Sequence, residues 1–260
     1  MNIDRVKPKK SLGQNFIHDN NFLLKMNDFI ISSKNNTIIE VGPGKGALTE
    51  LLAKKKFKDL YLIEKDDFLA GQLKERYENK KNIIIIHDDA LLYDFKYFNK
   101  KKNVIIYSNL PFNISTKLLS IWLSSDVWPS FFSKMVLMFQ KEVADRIVAV
   151  HNTKKYGRLS VLVQSRCKVR KLMDAPSTTF FPKPKVDGSV ILFEPINNFN
   201  KISFLKLEKL LEKSFSSRRK KIKNNLHEYR HILLNLNIDE NLRPENLSVS
   251  DYCQLAKLIN

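Results

Sequence analysis

The sequence predicts an α/β fold, in which a largely parallel β-sheet has helices on both faces and is followed by a small helical domain. Short β-rich runs alternate with helical patterns, which is typical of parallel strands joined by crossover helices. Several of these runs are apolar throughout, as in strands that are buried on both sides. After Pro195 the strand patterns end and helical periodicity takes over.

The predicted elements follow one another along the chain. Strands are predicted at residues 37–41, 60–64, 82–87, 103–108, 134–140, 159–165 and 189–194. Helices are predicted at residues 47–56, 66–79, 115–124, 141–150, 202–211 and 248–259. With 260 residues, 43% of them hydrophobic, the chain can bury a full core. A domain boundary near Pro195 to Asn200 divides it into a first domain at 1–197 and a helical domain at 198–260.

The composition excludes several classes of protein. Asp4 and the lysines after it stand where a secretion signal needs an apolar segment, and no run approaches the roughly 18 apolar residues of a membrane span. We therefore expect a cytoplasmic protein with no membrane partner. Cys167, in a strand-like run, and Cys253, in a helical one, lack the paired spacing of a metal site or a disulfide framework, so ordinary packing is expected for both.

Basic residues dominate the chain, which has 45 Lys and Arg against 27 Asp and Glu and a formal net charge of +18. Net charge alone favours a polyanionic partner only modestly, but its placement is more specific. Between Ser214 and Arg230 the only acid is Glu228, whereas a solvated helix face usually interleaves both signs. The basic residues of this segment are Arg218, Arg219, Lys220, Lys221, Lys223 and Arg230, and the N-terminus adds Arg5, Lys7, Lys9 and Lys10. The pattern predicts a nucleic-acid partner whose phosphates the basic segment contacts.

A glycine-rich loop follows the first predicted strand and opens a helix, with the sequence EVGPGKGA at 40–47. Such a loop lets the backbone approach a ligand that side chains would exclude. The motif alone is ambiguous, because it fits a dinucleotide fingerprint, with Ala47 in the third small position, and also the glycine spacing of S-adenosylmethionine sites. Glu64, at the end of the second strand, stands where either kind of site binds the ribose hydroxyls.

Residues at the ends of the next two strands favour the S-adenosylmethionine alternative. Asp89 follows the third strand and can accept a hydrogen bond from an adenine amino group, and Asn109 follows the fourth strand beside the same crevice. A dehydrogenase would also need a hydride-accepting site with a titrating partner, and none of the five histidines stands beside such a motif.

The tetrapeptide from Asn109 to Phe112 suggests how an adenine amino group could be activated. That nitrogen attacks carbon poorly while its lone pair is delocalised into the ring. We hypothesise that the Asn109 side-chain oxygen and the Leu110 carbonyl accept the two amino hydrogens and aim the lone pair at a methyl donor. Pro111 fixes the bend that presents this carbonyl, and Phe112 stacks on the base, which is worth about 1–3 kcal/mol. Positioning and preorganised dipoles would then provide most of the acceleration.

Several motifs in order resemble the KsgA-type small-subunit rRNA adenine dimethyltransferases, over nearly the whole chain. They are KSLGQNFI at 10–17, the glycine loop, DA at 89–90, NLPFNIST at 109–116, QKEV at 140–143, YGRLS at 156–160, PKPKVD at 182–187 and RPENLSV at 243–249. The resemblance implies a Rossmann-like class I S-adenosylmethionine methyltransferase sheet. It also implies an enzyme that dimethylates the N6 amino groups of two adjacent adenosines near the 3′ end of 16S rRNA, as part of 30S subunit biogenesis.

The resemblance also assigns site residues and partners. The cofactor, S-adenosylmethionine, leaves as S-adenosylhomocysteine, and no metal is expected. The implied cofactor contacts are Asn15, Ile17, Gly42, Gly44, Glu64, Asp89, Ala90 and Asn109. The catalytic set is Asn109, Leu110, Pro111, Phe112 and Phe180, where Phe180 matches the aromatic that closes on the target base. The family usually has Tyr where Phe112 stands, so a hydroxyl role is absent there while stacking remains.

The RNA partner is expected to be small-subunit rRNA within the 30S particle or its precursor, bound by a monomer. A base inside a helix cannot reach the pocket, so the target must be unpaired or flipped out. The residues expected to contact phosphates are Arg218, Arg219, Lys220, Lys221 and Lys223.

Two other functions remain open at this point. A methyltransferase of the antibiotic-resistance type, acting on large-subunit rRNA, would share the cofactor and catalytic elements, although the tail at 243–249 resembles the KsgA branch. A non-enzymatic nucleic-acid factor could keep the fold, but the presence of Glu64, Asp89 and Asn109 speaks against lost catalysis. DNA amino methylation is a weaker alternative, since the tetrapeptide alone does not separate DNA from RNA.

Overall fold

The computed structural model describes residues 7–30, 32–125, 128–198 and 202–259, so Asp4, Arg5 and Asn200 lie outside the described residues. The strands are β1 (Phe16–Ile17), β2 (Thr37–Val41), β3 (Asp59–Glu64), β4 (Ile83–His87), β5 (Val104–Ser108), β6 (Phe132–Gln140), β7 (Cys167–Ala175), β8 (Phe180–Phe181) and β9 (Gly188–Pro195). The helices are α1 (Asn20–Asn27), α2 (Ala47–Leu52), α3 (Asp67–Tyr77), α4 (Ser115–Leu123), α5 (Lys141–Ile147), α6 (Arg158–Gln164), α7 (Phe204–Ser214), α8 (Ile222–Asn225), α9 (Arg230–Asn235) and α10 (Val249–Leu258).

The main sheet has the strand order β4-β3-β2-β5-β6-β9-β7. The strands from β2 to β6 run parallel to their neighbours, as predicted, whereas β9 runs antiparallel to β6. The chain moves outward from β2 through β3 to β4 and then returns to β5 on the other side of β2. Because such crossovers are right-handed, the helices before and after this reversal cover opposite faces of the sheet. The reversal also creates a switch point between β2 and β5, where sheets of this kind bind ligands.

The centre of the sheet is held together at the end where the switch point lies. Every residue of β2 and β5 is buried, which agrees with their mainly apolar sequences. The Ser108 hydroxyl donates a hydrogen bond to the Val41 carbonyl, and the Tyr107 hydroxyl donates one to the Met26 carbonyl of α1. These bonds fix the ends of β2 and β5 side by side, immediately before Gly42 and Asn109.

The strand predicted at 159–165 is wrong, because the structure has helix α6 there, at Arg158–Gln164. Valines at 161 and 163 favour a strand by propensity, but tertiary packing overrides it. Val161 belongs to a helical core with Leu207, Leu211 and Leu255, which a helix reaches and an isolated strand would not. The Ser160 hydroxyl accepts the Gly157 N–H at 3.1 Å and so begins the helix.

The other predicted strands are confirmed within two residues at their ends. No bounds were predicted for β7, although Cys167 was placed in a strand-like run, and β1, β8, α1, α8 and α9 were not predicted. The helices predicted at 47–56 and 141–150 are confirmed but end earlier, at Leu52 and Ile147. The last two predicted helices correspond to α7 and α10.

The chain forms two compact units. The first comprises Met1–Trp122, Phe131–Lys141 and Lys171–Phe193, and the second comprises Leu123–Ser130, Glu142–Arg170 and Glu194–Asn260. The second unit thus takes in residues 142–170, which the sequence analysis assigned to the domain at 1–197; the boundary near 197 stays a prediction. In the described part of the chain, no helix has the length and apolarity that crossing a bilayer requires.

Candidate active site

A crevice opens at the carboxyl ends of β2, β3, β4 and β5, where the topology places a binding site. Eleven of the twelve predicted cofactor and catalytic residues line it. They are Asn15, Ile17, Gly42, Gly44, Glu64, Asp89, Ala90, Asn109, Leu110, Pro111 and Phe112. The remaining one, Phe180, packs behind Phe112 and does not line the crevice. Residues from five separate stretches of sequence therefore meet at one edge of the sheet.

Gly44 is required by the geometry of the glycine loop. Its φ is +58°, a region that side chains disfavour, and a Cβ there would lie 2.9 Å from the Phe16 ring. The Gly44 N–H donates to Glu64 Oε2 at 3.0 Å, and the Asp66 N–H donates to Glu64 Oε1 at 2.8 Å. Burial raises the pKa of Glu64, and these two N–H groups oppose that rise. Each carboxyl oxygen keeps acceptor capacity for a further donor such as a ribose hydroxyl.

Asp89 is held by two donors at the next strand end. The Lys65 ammonium donates to Oδ2 at 2.8 Å, and the Leu91 N–H donates to Oδ1 at 2.9 Å. The hydrogen bond from Lys65, followed by that from Leu91, holds the pKa of Asp89 below its ordinary value, so the carboxylate is an acceptor at neutral pH. Lys65 was not among the residues predicted from the sequence. Its signal was position, because Lys65 follows Glu64 at the end of β3, which neighbours β4.

Asn109 has its amide orientation set by the N-terminal part of the chain. Its Nδ2 donates to the Asn15 carbonyl oxygen at 3.2 Å. Because the NH2 end is committed to this carbonyl, Oδ1 is the end that remains as an acceptor. The hypothesis for this tetrapeptide requires an acceptor oxygen at Asn109, and the observed bond is compatible with it; the role of Oδ1 stays a prediction. Nothing in the local sequence around Asn109 identifies Asn15 as the partner.

The segment 9–17, which we term the N-terminal strap, is fastened across the crevice at its first residue. The Lys9 ammonium lies 2.8 Å from Asp66 Oδ2, and Gln14 Nε2 donates to the same oxygen at 3.3 Å. Burial alone would raise the pKa of Asp66, but the bonds from Lys9 and from the Leu69 N–H outweigh it and lower the pKa. The sequence placed Lys9 in the basic cluster at the N-terminus; in the structure its ammonium pairs with Asp66 and holds the strap.

Phe112 and Phe180 make contact in a T-shaped arrangement. Their ring centroids are 6.2 Å apart with an interplanar angle of 68°. Phe180 is only 2% exposed and pairs with Ile17 between β8 and β1. In this structure Phe180 therefore supports the edge of Phe112, while Phe112 lines the crevice. The closing of Phe180 on a target base stays a prediction.

Glu40 is a buried acid that the sequence analysis quoted in the glycine motif but did not assign to the site. It is 2% exposed, and its Oε2 accepts the Thr49 hydroxyl at 2.7 Å. Burial raises the pKa of Glu40 to about 8, and the charge of Glu64 adds to the rise. A carboxyl group in a strand that is otherwise apolar was the signal for it. At neutral pH this group is mostly protonated and neutral.

The basic segment of the helical unit is less free than its sequence indicates, because acids from beyond the segment neutralise part of it. Arg218 bonds to the Lys154 and Tyr156 carbonyls at 3.0 and 2.9 Å and to Glu245 at 3.3 Å. Further contacts of the segment are Lys223 with Glu240 and Asn241, Lys221 with Asn241, and Arg230 with Glu240. Among the described residues, no ion pair is found for the exposed side chains of Arg219 and Lys220.

Comparison with known proteins identifies the family of this chain. A family model for ribosomal RNA adenine dimethylase matches residues 5–260. The chain belongs to this family. A curated relative from Pelagibacter ubique (strain HTCC1062), named ribosomal RNA small subunit methyltransferase A, is 43% identical over 260 residues, with 97% of each chain covered. The family predicted from the sequence, the rRNA adenine dimethyltransferases, is therefore confirmed.

Two solved structures show the same fold as this member of the adenine dimethylase family. A dimethyladenosine transferase from Plasmodium falciparum has a TM-score of 0.80 and 26% identity, covering 92% of this chain and 95% of its own. The 23S rRNA methyltransferase ErmE has a TM-score of 0.68 and 18% identity, covering 94% of this chain and 98% of its own. The predicted class I methyltransferase fold with a helical C-terminal region is confirmed.

Proposed function

We propose that the protein transfers methyl groups from S-adenosylmethionine to the N6 amino groups of two adjacent adenosines near the 3′ end of small-subunit (16S) rRNA, giving N6,N6-dimethyladenosine. It acts as a monomer, in the cytoplasm, on the 30S particle or its precursor. The names of the relatives support this proposal, since one is a small subunit methyltransferase and another a dimethyladenosine transferase. The basic segment supports a nucleic-acid substrate.

S-adenosylmethionine fits the chemistry of the crevice. The glycine loop packs closely under Phe16, since a Cβ at Gly44 would lie only 2.9 Å from that ring, and the loop backbone lines the crevice where a ligand would lie. Glu64 would accept hydrogen bonds from the ribose hydroxyls. Asp89, which Lys65 holds as a carboxylate, would accept a hydrogen bond from the adenine amino group of the cofactor. The other predicted cofactor contacts are Asn15, Ile17, Gly42, Ala90 and Asn109. When bound, S-adenosylmethionine supplies a methyl group on a positively charged sulfur.

The bond from Asn109 Nδ2 to the Asn15 carbonyl is the observation that carries the proposal. It supports a role for Oδ1 as the acceptor of one hydrogen of the target amino group, with the Leu110 carbonyl as the acceptor of the other. Holding both hydrogens in this way draws the nitrogen lone pair out of conjugation with the ring. Pro111 fixes the turn that presents the carbonyl, and Phe112 stacks on the base. Because the dipoles are held before the substrate arrives, no strong base is needed.

Methylation of purified ribosomal subunits tests this function. The protein is incubated with S-adenosylmethionine and with small subunits from cells that lack the modification, and the RNA is digested and analysed by mass spectrometry. We expect N6,N6-dimethyladenosine at two adjacent positions in small-subunit RNA. Large subunits serve as the comparison substrate and should remain unmodified. Modification of large-subunit RNA instead, or of neither, would overturn the proposal.

Arg218 and Arg219 should respond differently to replacement with alanine. Arg218→Ala removes charged hydrogen bonds to two backbone carbonyls, so the free energy of unfolding should fall by about 1–2 kcal/mol after allowance for partial exposure. Arg219→Ala should leave stability within about 0.5 kcal/mol and lower the slope of log K against log salt for RNA binding by about 0.7. Urea unfolding and binding titrations at several salt concentrations measure the two effects. A larger stability loss for Arg219→Ala would contradict these assignments.

A further inference from the structure

An exposed aromatic ring stands next to the crevice and takes no part in the function proposed above. Phe181 is 59% exposed, whereas its neighbour Phe180 is 2% exposed. An exposed aromatic ring forgoes the stabilisation that burial of its apolar surface would give. A single exposed apolar residue nevertheless needs no explanation by itself. The position of this ring beside the crevice and the residues around it indicate a binding role.

Strand pairing places Phe181 directly opposite a residue that lines the crevice. In the antiparallel pair of β1 and β8, Phe181 lies opposite Phe16, and Phe180 lies opposite Ile17. Residues directly opposite share a face, and successive residues alternate between faces. Phe16 lines the crevice. Phe181 therefore shares the face of Phe16, and Phe180 shares the face of Ile17, which lines the crevice as well. Of the two rings, Phe181 is the exposed one.

The residues that follow Phe181 are held in place and carry positive charge. Lys183 and Lys185 are both exposed, and each is preceded by a proline that restricts the backbone. At the end of this loop, the side-chain carboxylate of Asp187 accepts the Ser177 N–H at 2.8 Å. The backbone carbonyl of Asp187 accepts the Lys141 N–H at 2.8 Å. Within the described ranges, no ion pair involves Lys183 or Lys185. An aromatic face followed by two unneutralised lysines has the composition of a single-stranded nucleic-acid site.

We propose that Phe181 stacks on the base of the nucleotide that neighbours the target adenosine, and that Lys183 and Lys185 contact the adjoining phosphates. The inference rests on the proposed function, because it requires an adenosine drawn into the crevice. Drawing one base out of a strand removes the stacking partner of its neighbour, which costs free energy. The exposed ring offers that neighbour a replacement surface that is tolerant of sequence. The segment Phe181 to Lys185 is thus a subsite for the nucleotide beside the one that is modified.

Fluorescence of Phe181→Trp tests the stacking directly. The chain's own tryptophans, Trp122 and Trp128, are buried, so the new indole supplies an exposed emission. Titration with a short single-stranded RNA that contains two adjacent adenosines should quench this emission in a saturable way. Phe181→Ala should bind the same RNA about 10-fold more weakly. Leu205→Ala, which removes a side chain of matched exposure at 58% from α7, should bind as the wild type does.

The lysines are tested through the salt dependence of the same binding. Replacing both Lys183 and Lys185 with alanine should lower the slope of log K against log salt by about 1.4, two phosphate contacts at about 0.7 each. The matched control is the double replacement of Lys56 and Lys58. These two exposed lysines have the same spacing but precede β3, at the end of the strands opposite the crevice. The control should leave the slope unchanged.

The outcomes separate this inference from the function on which it rests. Unchanged RNA affinity in Phe181→Ala, or no quenching in Phe181→Trp, overturns the subsite while methylation by the wild type still stands. If Phe181→Ala lowers methylation of the ribosomal particle but not RNA affinity, the surface contacts a protein and the inference is equally wrong. Binding of S-adenosylmethionine by Phe181→Ala should equal that of the wild type and so verifies folding. Absence of dimethyladenosine with the wild type would instead overturn the proposed function.

Discussion

Asn109→Ala should slow methyl transfer by about 100- to 1000-fold, equivalent to about 2.7–4 kcal/mol in the barrier. The substitution removes the Oδ1 acceptor, whose position depends on the bond from Nδ2 to the Asn15 carbonyl. Without it one amino hydrogen has no partner, and the lone pair of the nitrogen stays conjugated with the ring. Single-turnover rates on small ribosomal subunits measure the loss. Titration with S-adenosylmethionine should show a smaller fall in affinity, because Glu64 and Asp89 remain.

Asn109→Asp is the informative partner of that variant. It keeps two acceptor oxygens but loses the N–H that the Asn15 carbonyl accepts, so a carboxylate would face a carbonyl oxygen. We expect it to be nearly as slow as Asn109→Ala, because an acceptor alone is insufficient when its orientation is lost. Full activity in Asn109→Asp would show that the strap does not orient this side chain.

Phe112→Tyr should be nearly silent, since the ring that stacks on the base is retained.

Much of the crevice could be predicted because its residues follow strands. The glycine loop, Glu64, Asp89 and Asn109 each come at or just after the end of one strand in a parallel series. Parallel strands present these ends at the same edge, so position along the chain is enough to bring the residues together. The structure adds the distances between these residues, but their meeting at one edge of the sheet could be predicted from the order of the motifs along the chain.

Contacts that depend on distant partners could not be predicted in this way. The acids that pair with the basic segment, Glu240 and Glu245, lie outside the window in which the charge was counted. Lys9 meets Asp66 across 57 positions of sequence, and no local pattern marks that pairing. The valines of α6 favour a strand by propensity, but packing of Val161 in the core of the helical unit holds this segment as a helix. In each case the deciding interaction is tertiary.

Stability should fall with rising pH through the titration of Glu40. Burial raises its pKa to about 8 from an ordinary 4.5, so the folded chain keeps this proton over a range in which the unfolded chain has lost it. Below about pH 4.5 both states hold the proton and nothing changes. From there to about pH 8 the free energy of unfolding should fall by about 1.4 kcal/mol per pH unit, up to about 5 kcal/mol in all. Above about pH 8 both states are ionised and the loss is complete.

Glu40→Gln isolates this contribution. The amide is neutral at every pH and keeps an oxygen for the Thr49 hydroxyl, so the variant should gain stability relative to the wild type as the pH rises from 5 to 8. Urea unfolding of both proteins across this range measures the difference. Glu212→Gln, which neutralises an exposed carboxylate in α7, serves as the control and should track the wild type. Parallel pH curves for the wild type and Glu40→Gln would mean that Glu40 is ionised in the folded chain, since only a retained proton links its burial to pH.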